Sequence, residues 1–252
     1  MPSSPSTSWE RVSSWYATHL SQGDFLQRDV VLPQTLALLK GAVGTHLDIA
    51  CGEGTFLQMF QRTYPARNAF GIDLSASLIV KARHKHIPRT EFLRDDARTL
   101  QRLPDHVYGS ATCILAIQNI DDPLAMLKAT HARLAPNAPL VLVMNHPCFR
   151  QPKESSWGWD ATKRVQYRRV DRYLSAYEAP ILAHPGQDPS LSTPSFHRSM
   201  SWYSKILADA GFVIDTLEEW TSPAVSDSGP RAHAENIARE EIPLFLGIRA
   251  LR

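Results

Sequence analysis

The stretch His46-Leu-Asp-Ile-Ala-Cys-Gly-Glu-Gly54 decides how this chain is expected to fold. A short apolar run ends at Asp48, a turn with two glycines follows, and residues 55–64 have apolar side chains at helical spacing. A strand that enters a glycine turn and a helix N-terminus is typical of nucleotide-cofactor sites, because glycine lets backbone approach the ligand and free helix N–H groups attract anions. The dinucleotide pattern Gly-x-Gly-x-x-Gly would need a third glycine near position 57, where Leu57 stands.

The composition is that of an ordinary globular protein. The chain has 252 residues, of which 43% are hydrophobic, and its formal net charge of +2 gives no support for a nucleic-acid partner. We expect a flexible leader over residues 1–8 and one domain over residues 9–252. No apolar run approaches the length of a membrane span, and three widely separated cysteines suit free thiols in a cytoplasmic protein. No metal site is predicted, and the oligomeric state stays open.

Strands and helices alternate after the glycine turn. Apolar strands are predicted at 69–73, 91–94, 110–117 and 140–144, and helices at 75–84 and 122–134. Ser75 and Asp122 stand where helix N-caps are expected, and Pro123 follows at a first helical position. This order predicts an α/β fold with a doubly wound parallel sheet, whose ligand lies beyond the carboxyl ends of the strands.

Three aspartates stand at the ends of successive predicted strands. Asp73 can accept hydrogen bonds from both ribose hydroxyls of an adenosine. Asp96 can accept from the adenine amino group while Ala97 offers a backbone N–H, and Asp48 would steady the glycine turn and face the amino-acid end of the cofactor. The alternative for each is an aspartate that only forms a turn or caps a helix. Their occurrence at three successive strand ends favours ligand binding.

Three segments resemble motifs of class I S-adenosylmethionine-dependent methyltransferases, in particular small-molecule enzymes such as those of ubiquinone biosynthesis. Asp48–Gly54 is similar to motif I, with Ala50 where many members have their first glycine. Gly71–Ser75 is similar to motif II with its ribose-binding acid, and Arg94–Ala97 resembles the adenine-binding motif. The resemblance covers residues 9–150 and resumes at 196–252.

The resemblance implies a Rossmann-like sheet of seven strands, mostly parallel, with the last strand antiparallel beside strand five. It also implies N-terminal helices, at 9–19 and 25–40, that close over the cofactor, and a cap inserted after strand five at about 151–195. The implied cofactor is S-adenosyl-L-methionine, with S-adenosyl-L-homocysteine as product. The residues expected to bind it are Tyr16, Arg28, Asp48, Ala50, Gly52, Gly54, Asp73, Leu74, Asp95, Asp96, Ala97, Ala116 and Gln118.

Acceptor-side residues are expected after strands four and five and in the cap. His146 is the first candidate for a base or a substrate hydrogen bond, and His197 is the second; the alternatives are a histidine bonded to a turn and one packed beneath the cap. Further candidates for substrate contacts are Asn119, Asn145, Trp157, Trp159 and Arg198. The basic and aromatic run 163–173 has period-two spacing, which favours a hairpin over the pocket rather than a nucleic-acid patch.

The expected activity is methyl transfer to a small-molecule acceptor. A hydroxyl on a hydrophobic or aromatic compound is the first choice, and nitrogen or sulfur acceptors come next. Two other classes remain: a protein that binds the cofactor without catalysis, and an NAD-dependent oxidoreductase. Titration with S-adenosylhomocysteine and with NAD distinguishes the methyltransferase from the oxidoreductase. Turnover with a panel of acceptors distinguishes the methyltransferase from a protein that only binds the cofactor.

Overall fold

A computed structural model of the chain describes residues 25–182 and 192–252. The predicted leader, the first predicted helix with Tyr16, and part of the cap's return loop lie outside these ranges. The strands are β1 (His46–Ile49), β2 (Ala69–Asp73), β3 (Thr90–Arg94), β4 (Ser110–Ile114), β5 (Pro139–Asn145), β6 (Ser155–Asp160), β7 (Val165–Val170), β8 (Tyr177–Glu178), β9 (Ile181–Leu182), β10 (Ser192–Thr193), β11 (Phe196–His197), β12 (Val213–Trp220) and β13 (Phe245–Leu251). The helices are Leu32–Leu38, Thr55–Thr63, Ala76–His84, Pro123–Arg133, Met200–Asp209 and Ala232–Glu241, with a π-helical segment at Gln27–Val31 and a 3₁₀ turn at Ile117–Asn119.

Seven strands form one sheet in the order β3-β2-β1-β4-β5-β13-β12. The first five pair in parallel, and β13 runs antiparallel to both β5 and β12. This confirms the predicted Rossmann-like fold, including the antiparallel last strand beside strand five. The strand order reverses between β1 and β4, and a doubly wound sheet binds its ligand at such a point.

Both faces of the sheet are covered, which explains the apolar runs in its central strands. In β5, Leu140, Leu142 and Met144 belong to one buried cluster, and Val141 and Val143 belong to a second cluster on the opposite face. A strand that is buried on both faces has no polar alternation. Strand β4 ends at Ile114, earlier than predicted, because the chain turns there into the 3₁₀ segment.

The helix termini follow from local sequence. Ser75 Oγ accepts from Leu78 N at 3.3 Å, and Asp122 Oδ1 accepts from Ala125 N at 3.0 Å, so both predicted caps are confirmed. The predicted helix at 25–40 differs, because it contains the π-helical segment before Pro33. Proline has no N–H and its ring clashes with the carbonyl four residues earlier, so the preceding turn widens.

Strands β6 and β7 form the predicted hairpin at the start of the segment that is expected to be a cap. The hairpin packs against the helix Ala232–Glu241, and the Arg231 guanidinium lies 4.8 Å from the centroid of the Trp159 ring. The remaining strands form two further antiparallel pairs, β8 with β11 and β9 with β10. The division into a leader, one domain and a cap stays a prediction. No helix of the described ranges is long and apolar enough to cross a membrane.

Candidate cofactor site

A cavity of about 270 Å³ lies at the carboxyl ends of β1 to β4. Each strand end contributes to it, and the cap adds Pro194. The predicted residues that line it are Ala50, Asp73, Leu74, Asp95, Asp96, Ala97, Ala116 and Asn119. The tertiary structure therefore brings together residues that are far apart in the sequence, because parallel strands present their carboxyl ends at one edge.

A smaller cavity of about 40 Å³ lies beside the glycine turn, and Asp48 and Gly52 line it. Ala50 and Ile114 line both cavities, so the two are neighbours. The larger cavity has the two carboxylates expected for an adenosine, and the smaller one has the glycine turn expected for the methionine end. The site therefore fits the cofactor that the sequence implies.

The backbone of the glycine turn takes the left-handed conformation at Ala50, Gly52 and Gly54, with φ of 56°, 56° and 77°. Ala50 therefore adopts the conformation that glycine takes most readily, at a cost of about 1–2 kcal/mol. The alanine at the first glycine position of the motif therefore still takes a left-handed backbone conformation.

The Asp73 carboxylate holds the glycine turn. Its Oδ2 accepts from Gly52 N at 2.9 Å and its Oδ1 accepts from Ser75 N at 2.8 Å. A carboxylate has about four acceptor sites, so these bonds are compatible with acceptance from ribose hydroxyls. Asp73 therefore fixes the shape of the turn, and it can also make the predicted contact with the ribose.

The two aspartates after β3 differ in environment. Asp95 is buried, and its oxygens accept from the backbone N–H of Asp96 and Arg102, both at 2.8 Å. Asp96 is half-buried and pairs with Arg98 at 2.7 Å, whose hydrogen bonds lower the pKa of Asp96. Arg98 also reaches Asp121 at 3.1 Å, which links the loops after β3 and β4 at the cavity. Asp95 is thus a turn former, while Asp96 keeps its charge.

The remaining residues that line the larger cavity were not predicted as site residues. They are Ile72, Leu78, Arg98, Ile114, Leu115, Ile120, Asp121 and Pro194. Arg98 was detectable, because an arginine two positions after a strand-end aspartate is placed to pair with it. The others have no signature that separates them from ordinary core and loop residues, and only the fold brings them to the cavity.

Three predicted cofactor residues of the described ranges lie outside both cavities. Arg28 is exposed and pairs with its neighbour Asp29 at 2.6 Å. Gly54 lies on the Phe92 ring, and Gln118 donates from Nε2 to Leu115 O at 3.1 Å. Their direct contact with cofactor, like that of Tyr16, stays a prediction.

His146 has a different environment from the one predicted for a base. Its Nδ1 accepts from the backbone N–H of Cys148 and Phe149 at 3.2 and 3.3 Å, and its Nε2 donates to Glu219 Oε1 at 2.7 Å. The ring is buried, and burial lowers its pKa, so it is neutral with the proton on Nε2. Both nitrogens are occupied and the residue lines neither cavity, so the geometry favours the alternative of a histidine bonded to the turn after β5. A role of His146 towards an acceptor stays a prediction.

His197 is also buried among neighbouring side chains and does not face either cavity. It is buried beneath the cap, its Nε2 donates to Tyr173 O at 2.8 Å, and its ring lies 4.8 Å from that of Tyr177. Burial lowers its pKa. His197 lines neither cavity, so the structure supports the alternative of a histidine packed beneath the cap.

The other acceptor-side candidates are dispersed. Trp157 lies under Arg168 and Trp159 lies under Arg231. Both tryptophans lie outside the two cavities, and their contact with an acceptor stays a prediction. Asn145 ends β5 and lies outside both cavities as well. Only Asn119 lines the larger cavity, while Arg198 binds the loop behind it.

Replacing His146 by alanine is expected to lower the free energy of unfolding at pH 8 by about 1–3 kcal/mol, because backbone groups lose their partner. Since burial lowers the pKa of His146 from 6.5, the folded state binds fewer protons than the unfolded chain, and this contribution is lost as pH falls below 6.5. The difference between wild type and variant should therefore shrink from pH 8 to pH 5 in urea unfolding. A catalytic base would instead show unchanged stability and turnover reduced at least about a hundredfold.

The comparisons with known proteins agree with this geometry. The model of a family described as a methyltransferase domain matches residues 25–217, so the chain belongs to that family. The structure of an S-adenosylmethionine-dependent methyltransferase from Mesorhizobium loti is 25% identical with a TM-score of 0.67, over 87% of this chain and 96% of that one. A glycopeptide N-methyltransferase in complex with S-adenosyl-L-methionine shares the fold at 13% identity, with a TM-score of 0.60 over 87% of this chain and 91% of its own.

Two relatives are similar in sequence. An uncharacterized protein of Haemophilus influenzae is 25% identical over 226 residues, which are 86% of this chain and 85% of the relative. Trans-aconitate 2-methyltransferase of Methylobacterium radiotolerans is 29% identical over 100 residues, which are 39% of this chain and 36% of the relative.

The protein is therefore a class I S-adenosylmethionine-dependent methyltransferase. The cofactor supplies a methyl group that is already activated on a sulfonium centre. The chain's own task is to bind the cofactor, align an acceptor and exclude water. The alternative of an NAD-dependent oxidoreductase finds no support in the family match or in the structures.

Proposed function

We propose that this enzyme methylates a small molecule in the cytoplasm, at a hydroxyl that an otherwise apolar compound presents to Asn119. The observation that carries the proposal is the side-chain oxygen of Asn119. This Oδ1 atom is buried, has no hydrogen-bond partner in the described ranges, and belongs to a residue that lines the larger cavity. A buried acceptor without a partner costs about 1–3 kcal/mol, so a turn of the Asn119 side chain towards a ligand that donates a hydrogen bond is favoured.

The surroundings of Asn119 suit an apolar acceptor. Leu115, Ala116, Ile120 and Pro194 line the same cavity. The first three follow β4 and Pro194 follows β10, whereas Asp73 and Asp96, the carboxylates expected for the adenosine, follow β2 and β3. An apolar wall with few polar groups is the usual arrangement for binding and orienting a small molecule. The three cysteines of the chain are free thiols, which supports a reducing compartment.

We propose that methyl transfer is accelerated by alignment of the acceptor with the methyl group, and not by abstraction of a proton from the acceptor. Neither His146 nor His197 lines the cavity, and both are held by hydrogen bonds elsewhere. Holding the acceptor oxygen in line with the methyl group removes much of the entropic barrier. A hydrogen bond donated to Asn119 leaves a lone pair of the hydroxyl oxygen for the methyl group. As the O–C bond forms and the sulfonium S–C bond breaks, S-adenosylhomocysteine is released and the hydroxyl proton passes to water.

A second candidate is methylation of a carboxylate. Arg198 is 7% exposed, and its Nη2 donates to the carbonyls of Ile120 and Asp121, which line the cavity. Its Nη1 has no hydrogen-bond partner in the part of the chain that the structure describes. A buried guanidinium favours an anion nearby, and one relative is named for trans-aconitate, a carboxylate.

A panel of acceptors tests the proposal. Alcohols, phenols, amines, thiols and carboxylic acids are each incubated with S-adenosylmethionine, and S-adenosylhomocysteine formation is measured. Activity confined to hydroxyl compounds supports the first candidate, and activity confined to acids supports the second. Activity confined to amines or thiols would contradict both.

Asn119→Ala is expected to lower kcat/KM for the hydroxyl acceptor about tenfold to a hundredfold, the effect of one lost hydrogen bond in a buried site. The affinity for S-adenosylhomocysteine should be unchanged. Asn119→Asp, which keeps an acceptor oxygen, is the matched control and should retain more activity than the alanine variant. A loss of S-adenosylhomocysteine affinity in Asn119→Ala would instead assign the amide to the cofactor and contradict the proposal.

A further inference from the structure

A chain of polar side chains crosses the centre of the sheet on one face. His46 and Asp48 of β1 pair in register with Ser110 and Thr112 of β4. Because side chains alternate between the faces of a strand, these four point to the same side, while Leu47, Ile49, Ala111 and Cys113 belong to the cluster on the other. His46, Asp48, Ser110 and Thr112 are all buried. Polar groups in such a place must satisfy one another.

When Asp48 is ionised, the contacts allow only one arrangement of protons. Thr112 Oγ1 donates to Asp48 Oδ1 at 2.7 Å, so its contact with His46 Nε2 at 3.1 Å requires the proton on that nitrogen. Burial and the charge of Arg67 lower the pKa of His46, so the ring is neutral and its Nδ1 accepts from Ser110 Oγ at 2.9 Å. Ser110 Oγ in turn accepts from Arg67 Nη2 at 2.9 Å.

The resulting chain runs in one direction from a cation to a carboxylate. Arg67 donates to Ser110, Ser110 to His46, His46 to Thr112, and Thr112 to Asp48. Hydrogen bonds aligned head to tail polarise one another. The arrangement therefore favours the anionic form of the final carboxylate.

The histidine is fixed by packing as well as by its hydrogen bonds. Its ring stacks on Phe60 at 4.4 Å between centroids, and the Arg67 guanidinium lies 5.0 Å from the centroid of the same ring of Phe60. Phe60 belongs to the helix Thr55–Thr63 that follows the glycine turn. The helix that begins directly after the glycine turn therefore also packs against the histidine of the hydrogen-bonded network.

Asp48 ends this chain at the smaller cavity, beside the glycine turn. We propose that Arg67, Ser110, His46 and Thr112 are positioning residues that hold Asp48 in place as an anion, where it binds the positively charged end of the cofactor. Burial raises the pKa of Asp48 to about 7, and the hydrogen bond from Thr112 acts against that rise. Near neutral pH, the charge of Asp48 therefore depends on the hydrogen bonds that lead to it from Arg67.

Other titratable groups face Asp48 from the neighbouring elements. Asp73 of β2 raises the pKa of Asp48 further through its negative charge. Burial raises the pKa of the thiols of Cys51 and Cys113, so they stay neutral. Glu53 on the turn is paired with Lys85 at 2.9 Å. The α-amino group of the cofactor titrates near pH 8 in every variant, and the Asp48→Asn variant described below shows that step by itself.

The test is the affinity for S-adenosylmethionine, measured by calorimetry from pH 5.5 to pH 9.5. In wild type, affinity should rise through about pH 7 as Asp48 ionises. Thr112→Val keeps the shape of the side chain and removes the last bond. One hydrogen bond to an anion is worth about tenfold, so the midpoint should move up by about one pH unit. The ionised fraction at pH 7 then falls from about one half to about one eleventh, and affinity falls about fivefold.

Affinities of wild type and Thr112→Val should converge at the upper end of the range. Ser110→Ala, which interrupts the chain near Arg67, should shift the midpoint in the same direction by less. Asp48→Asn should abolish the step near pH 7 and keep only that of the cofactor. Thr130→Val is the matched control, since the Thr130 hydroxyl donates to Met126 O within its own helix, and it should leave the midpoint unchanged.

Two results would overturn the proposal. One is an unchanged midpoint in a folded Thr112→Val, and the other is a loss of affinity that is equal at every pH, as expected for a merely structural role. Folding is checked by near-ultraviolet circular dichroism. Where Thr112→Val does not fold, an unchanged midpoint in Ser110→Ala overturns the proposal instead. Because the readout is cofactor binding, its outcome is independent of the proposed acceptor.

Discussion

Asp73→Ala is expected to weaken S-adenosylhomocysteine binding by at least about a hundredfold, the largest effect of any single side chain in the site. Two losses combine. The ribose hydroxyls lose a charged acceptor, and the backbone N–H of Gly52 loses the carboxylate that holds the glycine turn at 2.9 Å. Each bond to a charged group contributes about 1.5–3 kcal/mol, which is roughly tenfold or more in affinity.

Calorimetric titration of the folded variant measures this effect. Asp73→Asn keeps the size and one acceptor oxygen, and it should lose less affinity than the alanine variant. Asp215→Ala removes a carboxylate of β12 that pairs with Arg249, outside both cavities, and should bind like wild type. An unchanged affinity in Asp73→Ala would refute the ribose assignment and leave the carboxylate with a purely structural role.

Gly54→Ala is expected to lower the free energy of unfolding by about 2–4 kcal/mol, because two costs add. The backbone has a φ of 77°, where an L side chain is strained. A Cβ atom would also stand 2.7 Å from the Phe92 ring, in a core without space. We expect weaker cofactor binding as well, since Gly54 ends the turn that precedes the helix Thr55–Thr63.

A matched glycine separates the two costs. Gly41 has a φ of 86°, but no atom lies within 4 Å of the place that a Cβ would take, so Gly41→Ala should show the backbone cost alone. In the Gly54→Ala background, Phe92→Leu should recover part of the loss, because a smaller side chain relieves the contact. Urea unfolding gives the free energy of unfolding of wild type, Gly41→Ala, Gly54→Ala and the double variant. Equal losses in Gly41→Ala and Gly54→Ala would show that the contact with Phe92 contributes nothing.

Much of the cofactor half of the site was predictable because its chemistry is local. A strand, a turn and a helix in sequence predict a parallel sheet, and the carboxyl ends of parallel strands share one edge. The sequence therefore places Asp73 and Asp96 at one cavity, and both line it. Ala50 stands where the motif has a glycine, and its backbone still takes the left-handed conformation that glycine takes most readily.

The acceptor half was not predictable in the same way. His146 and His197 stand in the sequence where substrate groups are expected, but a buried imidazole binds whichever partners the fold provides. Glu219, two backbone N–H groups and the carbonyl of Tyr173 satisfy them. Trp157 lies under Arg168, its cross-strand partner in the hairpin, and Trp159 lies under Arg231 because the hairpin packs on the helix Ala232–Glu241.

Local patterns in the sequence are enough to predict the fold class, the cofactor and the strand-end aspartates, because the periods of strand and helix and the chemistry of a glycine turn depend on neighbouring residues. The side chains that lie across the sheet from Asp48 are known only from the folded structure. Thr112 is 64 positions from Asp48 along the chain, and only the pairing of β1 with β4 brings it and Ser110 to that carboxylate's side of the sheet. Partners of buried polar groups depend on strand order and register, and no local pattern records either.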